Sequence, residues 1–377
     1  MHPGPLLAAL AGILLTLAIL WDAFEAVLVP RRIGRAFRFS RLFYRVTWST
    51  WRAVARRVSP PSRRESLLGF YAPLSLILLL VCWALGLIAA CALLQLAVAH
   101  GAAAHRFGSL LYMSGETFFT LGFGDVTPGS AAGRLLSVLE AGMGFGFLAT
   151  VIGYLPTLYA AFSQREIEIA LLDARAGSPP TAAEFVRRMS VFAEQGLPDG
   201  LMRDWEGWCA QVLESHVSYP LLAYYRSQHS NQSWLGALTV ILDSCALVLA
   251  GIEGIRPDQA QLTFAVARHA LVDITQSFVT GYRADPHDRL PSADLARLRE
   301  HLEGSTLHLP ADGEFERRLA ALRRDYEPYA QALAHHLLVE LPPWIHAESR
   351  RDNWSRGPWD HAIGSLPAAA VWDEEHF

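Results

Sequence analysis

Three stretches of the chain are apolar for long enough to cross a bilayer, and they set the frame for everything else. Residues 6–29 form a nearly unbroken apolar run of about 24 residues, enough to span a bilayer core with some tilt. Residues 67–98 form a second, interrupted only by Pro73, Ser75 and Gln95, and residues 135–162 form a third. Between the second and third, 109–119 is apolar but too short to cross. A fourth apolar run, 234–252, carries Asp243 at its centre. A carboxylate there costs about 2.5–3.5 kcal/mol on membrane insertion, so this run reads as a buried core helix of a soluble domain. From Gln164 onward the pattern becomes ordinary amphipathic helix. Gly177-Ser178-Pro179-Pro180 reads as a linker, and Thr181-x-x-Glu184 as a capping box opening the next helix. Further helices are predicted over about 200–217, 233–252, 258–281, 292–303 and 312–340, separated by prolines such as Pro220, Pro257 and Pro310. Alternation of strand type is scarce, so the predicted class is all-α. From Pro342 the tail reads as an extended strap or disorder.

Charge divides the chain in the same place. Residues 1–164 carry a net +7 and residues 165–377 a net −11, and all 32 basic residues are arginine. Residues 31–64 hold eleven arginines and no acid. The positive-inside rule places that loop in the cytoplasm, so the N-terminus lies outside and the first span runs inward. Arg32, Arg35, Arg38 and Arg41 recur every third residue in the manner of a voltage sensor. Only one span precedes them, so the preferred reading is an amphipathic helix on anionic inner-leaflet lipids, anchored by Phe37, Phe39, Phe43, Trp48 and Trp51. Asp22 and Glu25, on one face near the end of the first span, are expected to meet the arginines just beyond it. Cys82, Cys91, Cys209 and Cys245 show no C-x-x-C spacing and read as packing residues of a reducing compartment.

Chemistry concentrates in residues 117–125, Thr-Phe-Phe-Thr-Leu-Gly-Phe-Gly-Asp. Non-helical backbone survives at bilayer depth only when buried in protein or lining water. Thr120-Leu121-Gly122-Phe123-Gly124 resembles the Thr-Val-Gly-Tyr-Gly selectivity filter of potassium channels, the standard example of selectivity by rings of carbonyls. The likeness extends over about 69–165. Tyr112-Met113-Ser114-Gly115-Glu116-Thr117 reads like the end of a pore helix, Asp125 to Pro128 follow the filter without a gap, and Gly144 falls where the family keeps its hinge glycine.

The resemblance implies an all-α membrane protein with a potassium-channel-like pore domain, one extra N-terminal transmembrane helix and a C-terminal α-helical cytoplasmic domain. Its expected boundaries are an N-terminal helix at 1–30, an Arg-rich interfacial segment at 31–66 and a pore domain at 67–164. Within the pore domain lie an outer helix 67–98, pore helix 109–119, filter 120–125 and inner helix 134–162; a helical regulatory domain at 165–341 and a tail at 342–377 complete the chain. Carbonyls of Thr120, Leu121, Gly122, Phe123 and Gly124 would coordinate dehydrated potassium, with the glycines accepting positive φ. Glu116 and Asp125 match positions that meet behind the filter, either sharing a proton or with Glu116 ionised on backbone amides. Phe123 replaces the usual Tyr, Met113 a frequent Trp, and Phe119 a frequent Thr. Gly144, Phe145, Leu148, Ile152 and Pro156 become hinge and gate candidates, the glycines serving close packing, bending or both. Glu140 would bias ion occupancy if it faces the pore, or pair with Arg134 if it faces outward.

One pore loop per chain implies a homotetramer in the inner membrane that conducts potassium passively. No cofactor is expected beyond the permeant ion, no nucleic-acid partner, and no enzyme activity, since no nucleophile–base pair stands at recognisable spacing. The alternatives are a non-selective cation channel on the same scaffold and a potassium transporter subunit. In the soluble half, His269 and Asp273 are a weak metal pair, and the aromatic and polar residues of 205–226 fit pocket lining or plain packing equally well.

Overall fold

The computed structural model describes residues 3–27, 38–99, 107–191, 197–228, 232–253, 255–278, 288–303, 305 and 307–346. Among them the chain is all-α, with a lone antiparallel bridge between Glu253 and His308 as its extended pairing. It divides into two units, Met1–Ala161 and Phe162–Phe377.

The first unit contains α1 (Pro3–Val27), α2 (Phe39–Ala55), α3 (Pro61–Gly69), α4 (Tyr71–Val98), α5 (Phe107–Phe118) and the start of α6 (Ala131–Ala176). Among the described residues, three helices are long and apolar enough to cross a membrane: Gly4–Val27, Pro61–Val98 and Ala131–Ala176. α1 packs along α4, closely enough at Gly12 that a Cβ there would lie 2.8 Å from the Ala90 carbonyl. Asp22 sits where α1, α2 and α4 converge. Its carboxylate accepts from the Ser40 backbone N–H and hydroxyl (3.1 and 3.0 Å) and from the Trp83 indole (3.0 Å), so it satisfies an otherwise unpaired donor at the start of α2. Glu25 meets Arg38 at 3.3 Å, the encounter expected from the sequence. Residues 28–37 and 100–106, with Arg32, Arg35, Phe37 and the short loop before the pore helix, lie outside the described residues. α2 is amphipathic, but Trp48 is not one of its surface anchors. It is buried against Tyr71, ring centroids 4.8 Å apart, because α2 lies against the start of α4.

The helix that carries the last apolar run does not stop near 162. α6 continues unbroken to Ala176, because the first strong breaker after its apolar half is Gly177, at φ 82°. The helix runs through Pro156, and the Thr157 hydroxyl donates to the Gly153 carbonyl at 3.0 Å.

The second unit adds α7 (Ala182–Val191), α8 (Leu197–Ser218), a 3-10 turn at Pro220–Tyr224, α9 (Trp234–Ala250), α10 (Pro257–Phe278), α11 (Ser292–Leu302), α12 (Gly313–Arg324) and α13 (Glu327–Leu337). The expected single helix over 312–340 is two, because Pro328 starts a new helix. α9 is the core of this unit: its residues are buried almost throughout, and α7, α10, α12 and α13 pack around it. Ser233 caps α9, accepting from the Gly236 N–H at 2.9 Å. Ser233→Ala should cost about 1 kcal/mol, a fall of about 2–4 °C in melting temperature for a unit of this size. An unchanged melting curve would remove the cap from the account. Residues Pro342–His346 form a strap, in which the Trp344 carbonyl accepts from the Ala183 N–H (3.0 Å) and His346 Nε2 pairs with the Pro179 carbonyl (2.9 Å). Residues 347–377 lie outside the described residues.

Candidate functional site

α5 ends at Phe118, and its last carbonyls fold the chain back on itself. The N–H groups of Phe119, Thr120 and Leu121 donate to the carbonyls of Gly115 (3.1 Å), Thr117 (3.1 Å) and Glu116 (2.7 Å). These bonds consume the helix terminus and launch 121–130 as irregular chain. Thr120 (φ 57°), Gly122 (65°) and Gly124 (75°) take positive φ, while Leu121 and Phe123 between them do not. An ordinary strand points successive carbonyls to opposite sides; alternating the sign of φ turns them to one side. The sequence singled out the two glycines for this geometry. It did not single out Thr120, a β-branched residue for which this region is strained by about 1–3 kcal/mol. Leu121 and Phe123 are 59% and 70% exposed, so the protomer itself leaves the outer side of this segment uncovered.

Behind the loop, Glu116 is buried, and its Oε2 has no hydrogen-bond partner. The Tyr112 side chain lies near both Glu116 and Asp125. Sequence reasoning paired the two acids and missed the tyrosine near both, although it lies one turn before Glu116 on the same helix. Met113 is buried, and Phe119 is exposed at the end of α5.

α6 approaches α5 most tightly at Gly144. A Cβ at Gly144 would overlap the carbonyl oxygen of Phe118 and lie 2.8 Å from its carbonyl carbon. This glycine therefore serves close approach, within a helix that continues without a break. Gly142, Gly146 and Gly153 meet nothing within 4 Å. Glu140 takes neither of its expected places. It is 1% exposed, wedged beside Ser114 of α5 and Cys91 of α4, with neither carboxyl oxygen at hydrogen-bonding geometry. Gln95 of α4 ties down the start of α6, donating to the Gly133 carbonyl and the Ser137 hydroxyl, both at 3.0 Å. Phe145, Leu148 and Ile152 form an exposed apolar stripe on α6, continued by Leu155 and Tyr159 below.

A re-entrant helix, a backbone of alternating φ and a long helix packed on its base form one structural unit, and a family model described as "Ion channel" matches it at residues 75–160. Residues 75–160 are therefore similar to an ion-channel family. The matched stretch takes in most of α4, all of α5, the loop and most of the apolar part of α6. Over 213 residues the chain is 24% identical to the uncharacterized membrane protein YdjJ of Bacillus subtilis (strain 168), a match covering 55% of this chain. The chain spans 61% of that relative's length. No solved structure matches the chain significantly.

Among the described residues, the second unit contains two buried polar constellations. In the first, Asp243, fully buried on α9, is held bidentately by Arg289 (3.2 and 2.7 Å) and by the Tyr326 hydroxyl (2.5 Å). Arg289 also reaches Glu327 (3.0 Å) and the Pro342 carbonyl (2.9 Å), and Arg289 and Arg323 both stack on the Trp344 ring. Burial, and after it the Asp243 charge, push the Tyr326 hydroxyl well above its usual range. In the second, Arg165 of α6 meets His216 of α8, with burial and then the Arg165 charge pushing the imidazole well below its ordinary value. Elsewhere in the unit, Thr181 caps α7 as expected, its hydroxyl accepting from the Glu184 N–H at 3.3 Å. Glu184 does not return the bond. Its carboxylate pairs with Arg187, Arg188 and His301, and these partners outweigh its burial and hold it below the usual carboxylate range. Among the described residues no group of three or more ligands could hold a metal, so His269 and Asp273 gain no third partner.

Proposed function

We propose that the chain is one subunit of a homotetrameric, potassium-selective channel of the inner membrane. The observation that carries this reading is the alternation of φ through Thr120, Gly122 and Gly124 in a segment of filter-like sequence. Carbonyls turned to one side replace the hydration shell of a cation only when several such segments face a common axis. Each chain offers one segment, so four chains close the ring. The uncovered Leu121 and Phe123 and the exposed stripe Phe145, Leu148 and Ile152 suit faces completed by neighbouring copies and by a water-filled cavity. The stripe would form the apolar gate, with Gly144, Pro156 and the turns between them setting the course of the inner helix.

The arginines of 31–64 support an N-terminus outside and a second unit in the cytoplasm, with α2 resting on anionic lipid headgroups. Glu116, Tyr112 and Asp125 brace the filter from behind. Phe123 lacks the hydroxyl of the usual tyrosine, so one brace is absent.

Two measurements test the reading together. Native mass spectrometry of the detergent-solubilised protein should give four times the 41.6 kDa chain, and liposomes containing it should release potassium but retain sodium. A monomer would point to a transporter subunit instead. Equal release of both ions would point to a non-selective cation channel.

A further inference from the structure

The second unit grips the last turns of α6 through a socket that works in only one protonation state. The Arg165 side chain, 2% exposed, donates to the Leu222 carbonyl (2.9 Å) and the Tyr225 carbonyl (3.0 Å), and forms an ion pair with Glu166 at 2.8 Å. Its remaining hydrogen-bonding contact is Nη1 to His216 Nε2 at 3.3 Å, and its guanidinium lies 5.2 Å from the Phe162 ring centroid. A guanidinium has donors and no acceptor, so Nε2 must present its lone pair. Nδ1 then carries the proton and donates to the Val212 carbonyl at 2.9 Å, with the Ser215 hydroxyl 3.3 Å away. The Trp234 ring of α9 closes the remaining side, its centroid 4.5 Å from the imidazole. Arg165 is the charged group that faces the ring from α6. α8 contributes Ser215 and a carbonyl, α9 an indole, and Glu166 is bound to Arg165 and Ser227 rather than to the imidazole.

A proton on Nε2 would set N–H against N–H and place two cations side by side in a buried site. Proton binding at His216 and seating of Arg165 therefore exclude each other. We propose that the Arg165–His216 socket is a proton-operated latch: acidification around the second unit protonates His216, unseats Arg165 and frees the end of α6, changing ion conduction. The proposal rests on the reading of this chain as a gated channel with the second unit in the cytoplasm.

The sign follows from linkage. With the seated imidazole held below the value of a free histidine, the seated state binds fewer protons than the released one. Seating is complete above about pH 6.5 and weakens about tenfold for each pH unit below it, until the seated value is reached.

His216→Gln separates the latch from simple packing, because its amide oxygen can accept from Arg165 and cannot be protonated; His216→Asn is the second variant should the first fail to assemble. The experiment measures hydrogen–deuterium exchange over residues 162–176, corrected for intrinsic pH dependence, alongside single-channel recording as the pH at the second unit falls from about 7.5 to 5.5, a range that brackets the free-histidine value. Wild type should lose protection in this segment and change its open probability at least about fivefold, whereas the variant should keep its protection and change less than about twofold. The same loss of protection in both proteins, or in neither, overturns the latch. If no protein passes current, the conduction reading fails, and the exchange result alone still decides the latch.

Discussion

Gly144→Ala should cut ion flux through the reconstituted protein by at least about tenfold while leaving the second unit folded. The added Cβ overlaps the Phe118 carbonyl, a backbone group at the end of α5 that cannot swing aside like a side chain. Overpacking of this kind costs about 1–3 kcal/mol or more, and each 1.4 kcal/mol is about a tenfold change in a population. The least costly relief moves α5 away from α6. Because Thr120 and Leu121 hang from the last carbonyls of α5, that movement carries the strained backbone of 120–124 with it. Gly142→Ala and Gly153→Ala add a methyl where the protomer leaves room, so they should reduce flux far less. Equal losses in all three variants, measured by liposome flux at matched protein density, would mean that helix flexibility matters here and close approach does not.

Asp243→Ala should destabilise the second unit by about 3–5 kcal/mol, the largest stability effect expected anywhere in the chain. The substitution strips Arg289 of its bidentate partner and Tyr326 of its acceptor in a site sealed from water. Glu327 remains on Arg289, but it is shared with Arg323 and approaches from another helix. The strap loosens as well, since Arg289 also holds the Pro342 carbonyl and stacks on Trp344. Replacing both partners, as in Asp243→Leu with Arg289→Met, removes the unpaired charge and should recover much of the loss. Thermal unfolding of the three variants separates the cases. A single variant as stable as wild type would show that the buried pair contributes nothing net.

What could be read from the sequence was what local chemistry determines. The long apolar helices follow from length and apolarity, and the positive-φ loop after α5 from Gly122 and Gly124. α9 could be withheld from the membrane because of Asp243 alone. Its partner was not legible, since Arg289 lies 46 residues away on a segment with no pattern of its own. Glu140 was misread for the same reason: its neighbours Cys91 and Ser114 come from two other helices, and sequence spacing offered only Arg134. Gly144 was flagged for its position, whereas the reason for it, the end of α5, appears only once the two helices are packed. Two errors were local and avoidable. Pro328 was a visible start signal inside the run expected to be a single helix, and no breaker stood between Phe162 and Gly177 to end α6.

The most direct measurement is the reversal potential of the purified protein in a planar bilayer, with potassium on one side and an equal concentration of sodium on the other. Carbonyls aimed to one side by Thr120, Gly122 and Gly124 predict a reversal potential displaced far toward the potassium equilibrium value, and loss of that displacement in Gly122→Ala. A reversal at zero in the unaltered protein would contradict the central claim.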